Sequence, residues 1–555
     1  MHGQISFCGD PVRIRTRALL LAIPAAFLGL LFVWPVLNIV GEGLRGDGRW
    51  DLSGVSAVVG DRDLRRVAWF TLWQATASTA ITLLVALPAA HVLATHEFRG
   101  RRTVQALITV PFVLPTVVVA AAFLALLGPR GPLGVDLADS VWAILIAHVF
   151  FNHAVVVRTV GGVWEGLDPR VEDAARVLGA SRWRAIREVT FPALRPAIAS
   201  AAVITFLFTF TSFGVVRILG GPRHSTLEVE IYRQTADLLN LPVASVLALL
   251  QLVAVGGLLV IQDRLERRRV SVGVRMTSSR RRPVRAPWER VWLFGNLGLM
   301  AVLLVLPLAV LAERSFRTGS GHGLAPWRAL ADTSRTSGLF VAPIEAVANS
   351  LRYAAVATVV AVVVGGLAAA ALGTARGRLA RALDAALVLP LGTSAVTVGF
   401  GFLIALDQPI DLRANPWLVP LAQALVALPF VVRTMTPVLR SIDGRLREAA
   451  AMLGASPSRV WREIDFPLVR RAVLVATGFA FAISLGEFGA TTVIARADAP
   501  TVPIAIDRLL GRPGALNVSQ AFALSVVLMV MTATAILAVD RVRGRDPVSD
   551  GRGWL

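Results

Sequence analysis

Twelve apolar stretches, each 22 to 29 residues long, occupy positions 18–40, 68–94, 104–128, 139–163, 196–221, 241–262, 291–313, 345–373, 382–406, 416–439, 470–495 and 518–539. A helix rising 1.5 Å per residue needs about 20 residues to cross a hydrocarbon layer of about 30 Å. No water is available there to receive backbone N–H and C=O groups, so each stretch has to bond its own backbone, as a helix does. The expected fold class is an all-α polytopic membrane protein with about 12 transmembrane helices. Composition agrees: 55% of residues are hydrophobic and the mean hydropathy is +0.66. The first stretch follows Arg13, Arg15 and Arg17, and competes with a cleaved signal peptide. Its length, and Trp34-Pro35 where small residues would mark cleavage, favour a retained anchor.

The net charge of +20 is carried without a single lysine. Arginines gather between the apolar stretches: Arg99, Arg101 and Arg102; Arg267–Arg269 and Arg280–Arg282; Arg376, Arg378 and Arg381; Arg541, Arg543 and Arg545. A cytosolic N-terminus places all of them on one side, in accord with the positive-inside rule, and makes both termini cytosolic. A Walker-type phosphate loop ends in Gly-Lys-Ser/Thr, so the absence of lysine excludes an ATPase of that kind within this chain. Cys8 is the only cysteine, which excludes an intramolecular disulfide and a cysteine-built metal site.

The chain is also duplicated. Asp173-Ala-Ala-Arg-Val-Leu-Gly179-Ala-Ser181 returns 275 residues later as Glu448-Ala-Ala-Ala-Met-Leu-Gly454-Ala-Ser456, and Phe191-Pro192 returns as Phe466-Pro467. At the same offset Pro115 matches Pro390, Val156-Val-Arg158-Thr159 matches Val431-Val-Arg433-Thr434, Phe213-Gly214 matches Phe488-Gly489 and Thr226 matches Thr501. Six spans per half is an even number, so the halves share one orientation and form parallel repeats. The domains expected are a first half at 1–262, a basic cytosolic linker at 263–290, a second half at 291–540 and a cytosolic tail at 541–555.

Each copied segment, 168–195 and 443–470, reads as helix, turn, helix on the cytosolic side. Alanines and Leu178 favour the first helix, Gly179 suits a left-handed end, and Ser181 can cap the next start. Trp183, Ile186 and Val189 share one face of the second helix, as do Val460, Trp461 and Ile464. Phe191-Pro192 and Phe466-Pro467 are expected to end those helices. A single such segment would read as an amphipathic helix lying on lipid; two at one place in two halves argue otherwise.

These residues resemble the signature of the inner-membrane permeases of binding-protein-dependent ABC importers: Glu-Ala-Ala, three residues, Gly, then an apolar-Pro pair. Glu448, Ala449, Ala450, Gly454 and Pro467 match it; so do Ala174, Ala175, Gly179 and Pro192, with Asp173 where the family has Glu. The resemblance implies that both segments are coupling helices seated in the grooves of an ABC ATPase subunit dimer. Asp173, Ala174, Ala175, Gly179, Glu448, Ala449, Ala450 and Gly454 are the implied contacts, with Arg182, Arg184 and Arg459 as lesser ones. It also implies an extracytoplasmic solute-binding protein, a bacterial inner-membrane location, no catalytic residue, and no cofactor beyond the ATP used by the partner. Within the family, the fused two-half form is similar to the ferric-iron and thiamine permeases, and Ala147–Asn152, Phe210–Gly214 and Ser484–Gly489 lean toward thiamine.

A pathway is sought in polar residues within spans, where charge is costly and usually faces an interior cavity. Glu487, whose repeat partner is Ser212, either faces the pore or bonds neighbouring backbone. Asn152, Pro115 and Pro390 are further pathway candidates, the prolines as kinks. Thr209, Thr211, Ser212, Thr393, Ser394 and Thr397 either line the path or serve helix packing. His148 and His153 are five apart and lack a nearby carboxylate or cysteine, so packing or interhelical hydrogen bonding is preferred to metal ligation. The rival function is a secondary ion-coupled transporter of two six-helix repeats. It predicts several embedded carboxylates, where Glu487 is the one clear case, and leaves the copied segments unexplained. No nucleophile–base cluster supports a membrane enzyme.

Overall fold

A computed structural model describes residues 11–46, 49–50, 53–129, 131–271, 281–319, 321–332, 340–374, 384, 386–387, 389–390, 393–407 and 411–543. Cys8, Arg280, Arg376, Arg378, Arg381, Arg545 and the tail from 544 onward lie outside the described residues, as does part of the ninth apolar stretch.

The first half supplies α1 (Leu20–Leu44), α2 (Arg62–Thr95), α3 (Arg101–Val113), α4 (Thr116–Leu127), α5 (Val141–Glu165), α6 (Pro169–Val177), α7 (Arg182–Phe210), α8 (Gly214–Leu219) and α9 (Leu241–Leu265). The second half supplies α10 (Pro287–Arg314), α11 (Pro343–Gly373), α12 (Ala395–Ala405), α13 (Leu418–Ser441), α14 (Gly444–Met452), α15 (Ser458–Gly486), α16 (Gly489–Ile494) and α17 (Ala515–Val539). Ten helices among the described residues are long and apolar enough to cross a membrane, eleven when α3 and α4 count as one broken span. In the ninth expected span the longest helix among the described residues is α12, 11 residues long.

Four of the expected spans are not straight helices. The third stretch bends by 103° between α3 and α4. Leu114 takes an extended ψ of 139° because the ring of Pro115 excludes the helical conformation from the residue before it. The Pro115 carbonyl then accepts the N–H groups of Val118 and Val119 at 2.9 and 3.1 Å and starts a new helix. In the second half, Leu389 and Pro390 are helical and the next helix begins only at Ala395, with the Ser394 side chain accepting the Thr397 N–H. The fifth stretch ends its helix at Phe210, leaves Thr211–Phe213 irregular, and resumes as α8. The eleventh breaks at the corresponding place, after Gly486, and resumes as α16.

The described chain gathers into two compact units. One falls within Met1–Gly41, Ser350–Ile494 and Thr534–Arg545; the other falls within Glu42–Asn349 and Ala495–Ala533. In the first unit, Leu28, Leu31 and Phe32 of α1 share a core with Val364, Ala368 and Leu372 of α11, Phe402 of α12, Leu425 and Leu428 of α13, and Ala490 of α16. The Trp34 indole N–H also donates to the Ala405 carbonyl at 3.3 Å. In the second unit α2, α5 and α7 pack together, α9 lies on α7, and α10 packs on α2, α3 and α4. The first span of each sequence half therefore packs among helices of the other half.

Close packing of α12 on α16 depends on Gly399. A Cβ there would stand 2.7 Å from the Ala490 carbonyl oxygen and 2.9 Å from its Cα, both backbone atoms that no rotamer change can move. Gly399→Leu should destabilise the protein by about 1–3 kcal/mol, the usual range for overpacking. Thermal unfolding in detergent reads this as a lowered midpoint, whereas an unchanged midpoint would mean that α12 does not approach α16 so closely.

Candidate functional site

The first helix and the turn after it fold alike in the two copied segments. Asp168 starts α6 by accepting the Arg170 N–H at 2.9 Å, and Asp443 starts α14 by accepting the Arg445 N–H at 3.0 Å. Both helices end in the same left-handed turn. Leu178, Gly179 and Ala180 donate to the carbonyls of Ala174, Arg176 and Ala175 at 3.1, 3.0 and 3.0 Å. Leu453, Gly454 and Ala455 donate to Ala449, Ala451 and Ala450 at the same three distances. This Schellman closure needs a positive φ, and the two glycines supply +90° and +80°. A Cβ would strain either. Ser181 then caps the next helix through the Arg184 N–H at 3.3 Å.

The second helix of each segment departs from the expected helix-turn-helix. Pro192 and Pro467 do not end a helix; α7 and α15 run through them as continuous helices of 29 residues. Each passes first through a π-helical turn, Ile186–Thr190 and Trp461–Asp465, where Phe191 donates to the Ile186 carbonyl and Phe466 to the Trp461 carbonyl. The extra residue in the turn displaces the carbonyl that the proline ring would otherwise strike. The expected apolar face is altered as well: Trp183 is 80% exposed, while Ala185 is buried.

Neither α6 nor α14 buries any residue. A side-chain tie holds each against the base of its long helix. Thr190 donates to Glu172 at 3.1 Å in the first copy, and Arg447 donates to Asp465 at 2.8 Å in the second. The two ties occupy equivalent positions with different chemistry. Beyond them the surface is apolar where a free surface would be polar: Val177 and Leu178 are 87% and 88% exposed, and Met452 and Leu453, at the same register, 89% and 88%. Ala174, Ala449, Gly179 and Gly454 lie exposed beside these tips, and Ala175 and Ala450 are half-buried.

The acidic positions differ. Asp173 meets Arg282 at 3.1 Å and Arg176 at 3.9 Å. Glu448 is exposed and makes no ion pair among the described residues. Arg184 and Arg459 pair along their own helices with Glu188 and Glu463, at 3.1 and 3.0 Å. Arg182 lies 4.5 Å above the Trp288 ring.

The intramembrane polar residues are mostly occupied with one another. Glu487 is buried, and its carboxylate accepts the Ala490 and Thr491 N–H groups at 2.7 and 3.0 Å and the Thr491 hydroxyl, capping α16. His148 bridges α2 to the break after α7, through Ser78 at 3.0 Å and Ser212 at 2.9 Å. Asn152 donates to the His148 carbonyl at 3.0 Å, while its Oδ1 and the His153 Nδ1 are buried with no hydrogen-bond partner among the described residues. Thr209 donates back to the Thr205 carbonyl, and Gln74 donates to the Thr209 carbonyl, both at 2.9 Å. Pro115 and Pro390 are both buried. No group of three metal-ligating side chains occurs among the described residues.

Sequence reasoning missed the ties, because Thr190–Glu172 and Asp465–Arg447 share a position without sharing residue types. It also missed Arg282 as a partner of Asp173 in the first segment, although a run of arginines at 280–282 was there to be read.

Residues 83–271 match the family described as the binding-protein-dependent transport system inner membrane component. The chain is 30% identical over 505 residues to a thiamine transport system permease protein of Brucella abortus strain 2308, covering 88% of each. It is 28% identical over 478 residues to the thiamine transport system permease protein of Escherichia coli K12, covering 82% of this chain and 85% of that one. A probable ABC transporter permease protein of Sinorhizobium fredii NGR234 is 26% identical over 477 residues, 82% of this chain and 83% of the relative.

His96 gives the surface around the first segment a pH dependence. Burial lowers its pKa below the ordinary 6.5; Arg182 and Arg282 lower it further, against an opposing pull from Glu289. The unfolded chain then takes up the proton first, so the stabilisation is complete above pH 6.5 and declines as pH falls below it. Thermal midpoints of the native protein should drop more steeply between pH 7 and 5 than those of His96→Gln. Parallel profiles would show that His96 stays solvated and unshifted.

Proposed function

The chain belongs to the binding-protein-dependent inner-membrane components of ABC importers, and on that premise we propose that it is the permease of a thiamine importer. In this reading an extracytoplasmic binding protein delivers the solute, and a separate ABC ATPase dimer grips α6 and α14 from the cytosol. The observation that carries the proposal is the pair of exposed apolar tips, Val177-Leu178 and Met452-Leu453, presented 275 residues apart by the same backbone turn. Surfaces of that kind call for a partner, and the identical presentation suits a partner with two like grooves. Thiamine is preferred to ferric iron because the relatives at 30% and 28% identity carry that name.

The route from motor to pathway follows from the helices. A displacement of α6 reaches α7 through the rigid Gly179 turn and the Thr190–Glu172 tie; α14 acts on α15 through Gly454 and Arg447–Asp465. A 29-residue helix carries that displacement about 43 Å at 1.5 Å per residue. Each long helix ends at an irregular segment, Thr211–Phe213 or Glu487–Phe488, where backbone direction can change. Ser212, Asn152, Glu487, Pro115 and Pro390 are the residues assigned to the pathway that alternates between the two sides. ATP is consumed by the partner, and this chain contributes no catalytic group.

Proteoliposomes test the assignment directly. With the ATPase subunit, ATP and the binding protein present, labelled thiamine should accumulate and ferric iron should not. Accumulation driven by a proton or sodium gradient without the ATPase subunit would sink the proposal. Arg447→Ala leaves the buried Asp465 carboxylate without its cation and severs the second tie. Thiamine moved per ATP hydrolysed should fall about fivefold or more, within the usual span of coupling energies, while ATP hydrolysis continues. An unaltered ratio would remove the tie from the route.

A further inference from the structure

The inter-half linker returns to the described residues as part of the first coupling segment's surface. Arg281 approaches Glu165 at 3.4 Å and Glu97 at 3.7 Å, and Arg282 places one nitrogen 3.1 and 3.2 Å from the two carboxylate oxygens of Asp173. The backbone of Arg282–Pro283 pairs in parallel with His96–Glu97. Glu289 accepts the N–H groups of Arg285 and Ala286 at 2.9 and 3.0 Å, closing the turn into α10, and the Trp288 ring lies under Arg182. Glu165, held from the other side by Arg101, anchors this lattice at the end of α5. A lone exposed ion pair contributes little, about 0–1 kcal/mol. Here the pair is fixed by backbone pairing and by a second arginine on a second carboxylate, so Asp173 is held at a set position.

The consequence is a difference in charge between two segments of matching backbone. Residues 168–190 together with 281–290 carry nine arginines against five carboxylates, whereas residues 443–465 carry four of each. The carboxylate that the first segment would offer a partner is already neutralised in cis, and Glu448 is not.

We propose that linker residues 281–289 are a built-in part of the first ATPase-docking surface, so that the two coupling helices engage their ATPase subunits by different chemistry. Glu448 offers a free carboxylate to a cationic group on one subunit. The first surface offers arginines and an apolar tip, and draws a subunit edge that carries carboxylates. This inference rests on the reading of α6 and α14 as ATPase-docking helices.

The experiment measures binding of the ATPase subunit to the full-length permease in nanodiscs, with thermal unfolding of each variant as a folding control. Glu448→Gln should weaken binding about tenfold, the loss expected for one charge-assisted hydrogen bond. Asp173→Asn should change it less than about twofold in the native background, since Arg282 already occupies that carboxylate. In an Arg282→Ala background the same Asp173→Asn change should become several-fold, and in an Arg282→Lys background it should stay silent. Equal losses from Asp173→Asn and Glu448→Gln would overturn the proposal, as would an Asp173 effect indifferent to Arg282. If Leu453→Ser and Glu448→Gln both leave binding unchanged, the docking reading itself fails, a result distinguishable from the other two.

Discussion

Inside a hydrocarbon layer a peptide group has no partner except another peptide group or a polar side chain brought to it by the fold, and this constraint governs the helices and their interruptions alike. Where the backbone stays regular, helices of 24 to 34 residues close their own hydrogen bonds. Where it does not, the interruption is buried and supplied with partners. The break before α16 is capped by the buried Glu487, and the break after α7 brings Ser212 to His148. At Pro115 the missing N–H and the extended Leu114 are followed at once by a new helix that the Pro115 carbonyl begins. Irregular backbone in these places is held by discrete contacts rather than by lipid, the condition under which a membrane helix can change direction without exposing polar groups.

The copied segments obey the opposite rule. Their first helices, α6 and α14, bury no residue and keep their form through a left-handed glycine and a side-chain tie each. Stiffness there comes from backbone closure, not from a core. A short helix with no buried face is marginal alone; the aspartate caps and the Schellman closures at Gly179 and Gly454 are what let it stand away from the body as a handle. The exposed tips then gain from being covered, since apolar area removed from water contributes about 25 cal/mol per Å². Thr190–Glu172 and Asp465–Arg447 retain the position of the tie while its chemistry differs, so what the two copies share is a contact at that place rather than a particular ion pair.

Much of this was legible from residues alone. Length and apolarity located the spans, the 275-residue offset located both copied segments, and glycine at 179 and 454 specified where their first helices end, because those features act over a few neighbouring residues; the aspartate caps at 168 and 443 came only with the fold. Proline was the misleading signal. At 115 it broke a helix as local sterics require, yet at 192 and 467 a π-turn made room for the ring and the helix continued. The same residue gives opposite outcomes because the adjacent turn, not the proline, decides whether the preceding carbonyl can move aside.

Glu487 illustrates the remaining division. A carboxylate in an apolar stretch announces that something must hold it, but only the packed chain shows three donors at the start of α16 doing so. Sequence by itself determined what is local or periodic: which segments are helical, where they turn, and that the whole is built twice. Tertiary structure alone decided that α1 packs among second-half helices, that α10 packs among first-half helices, and that Arg282 rests on Asp173. Those contacts join residues more than a hundred positions apart, and every span is apolar enough to pack against any other, so hydropathy carries no instruction about partners; shape and a few charges do.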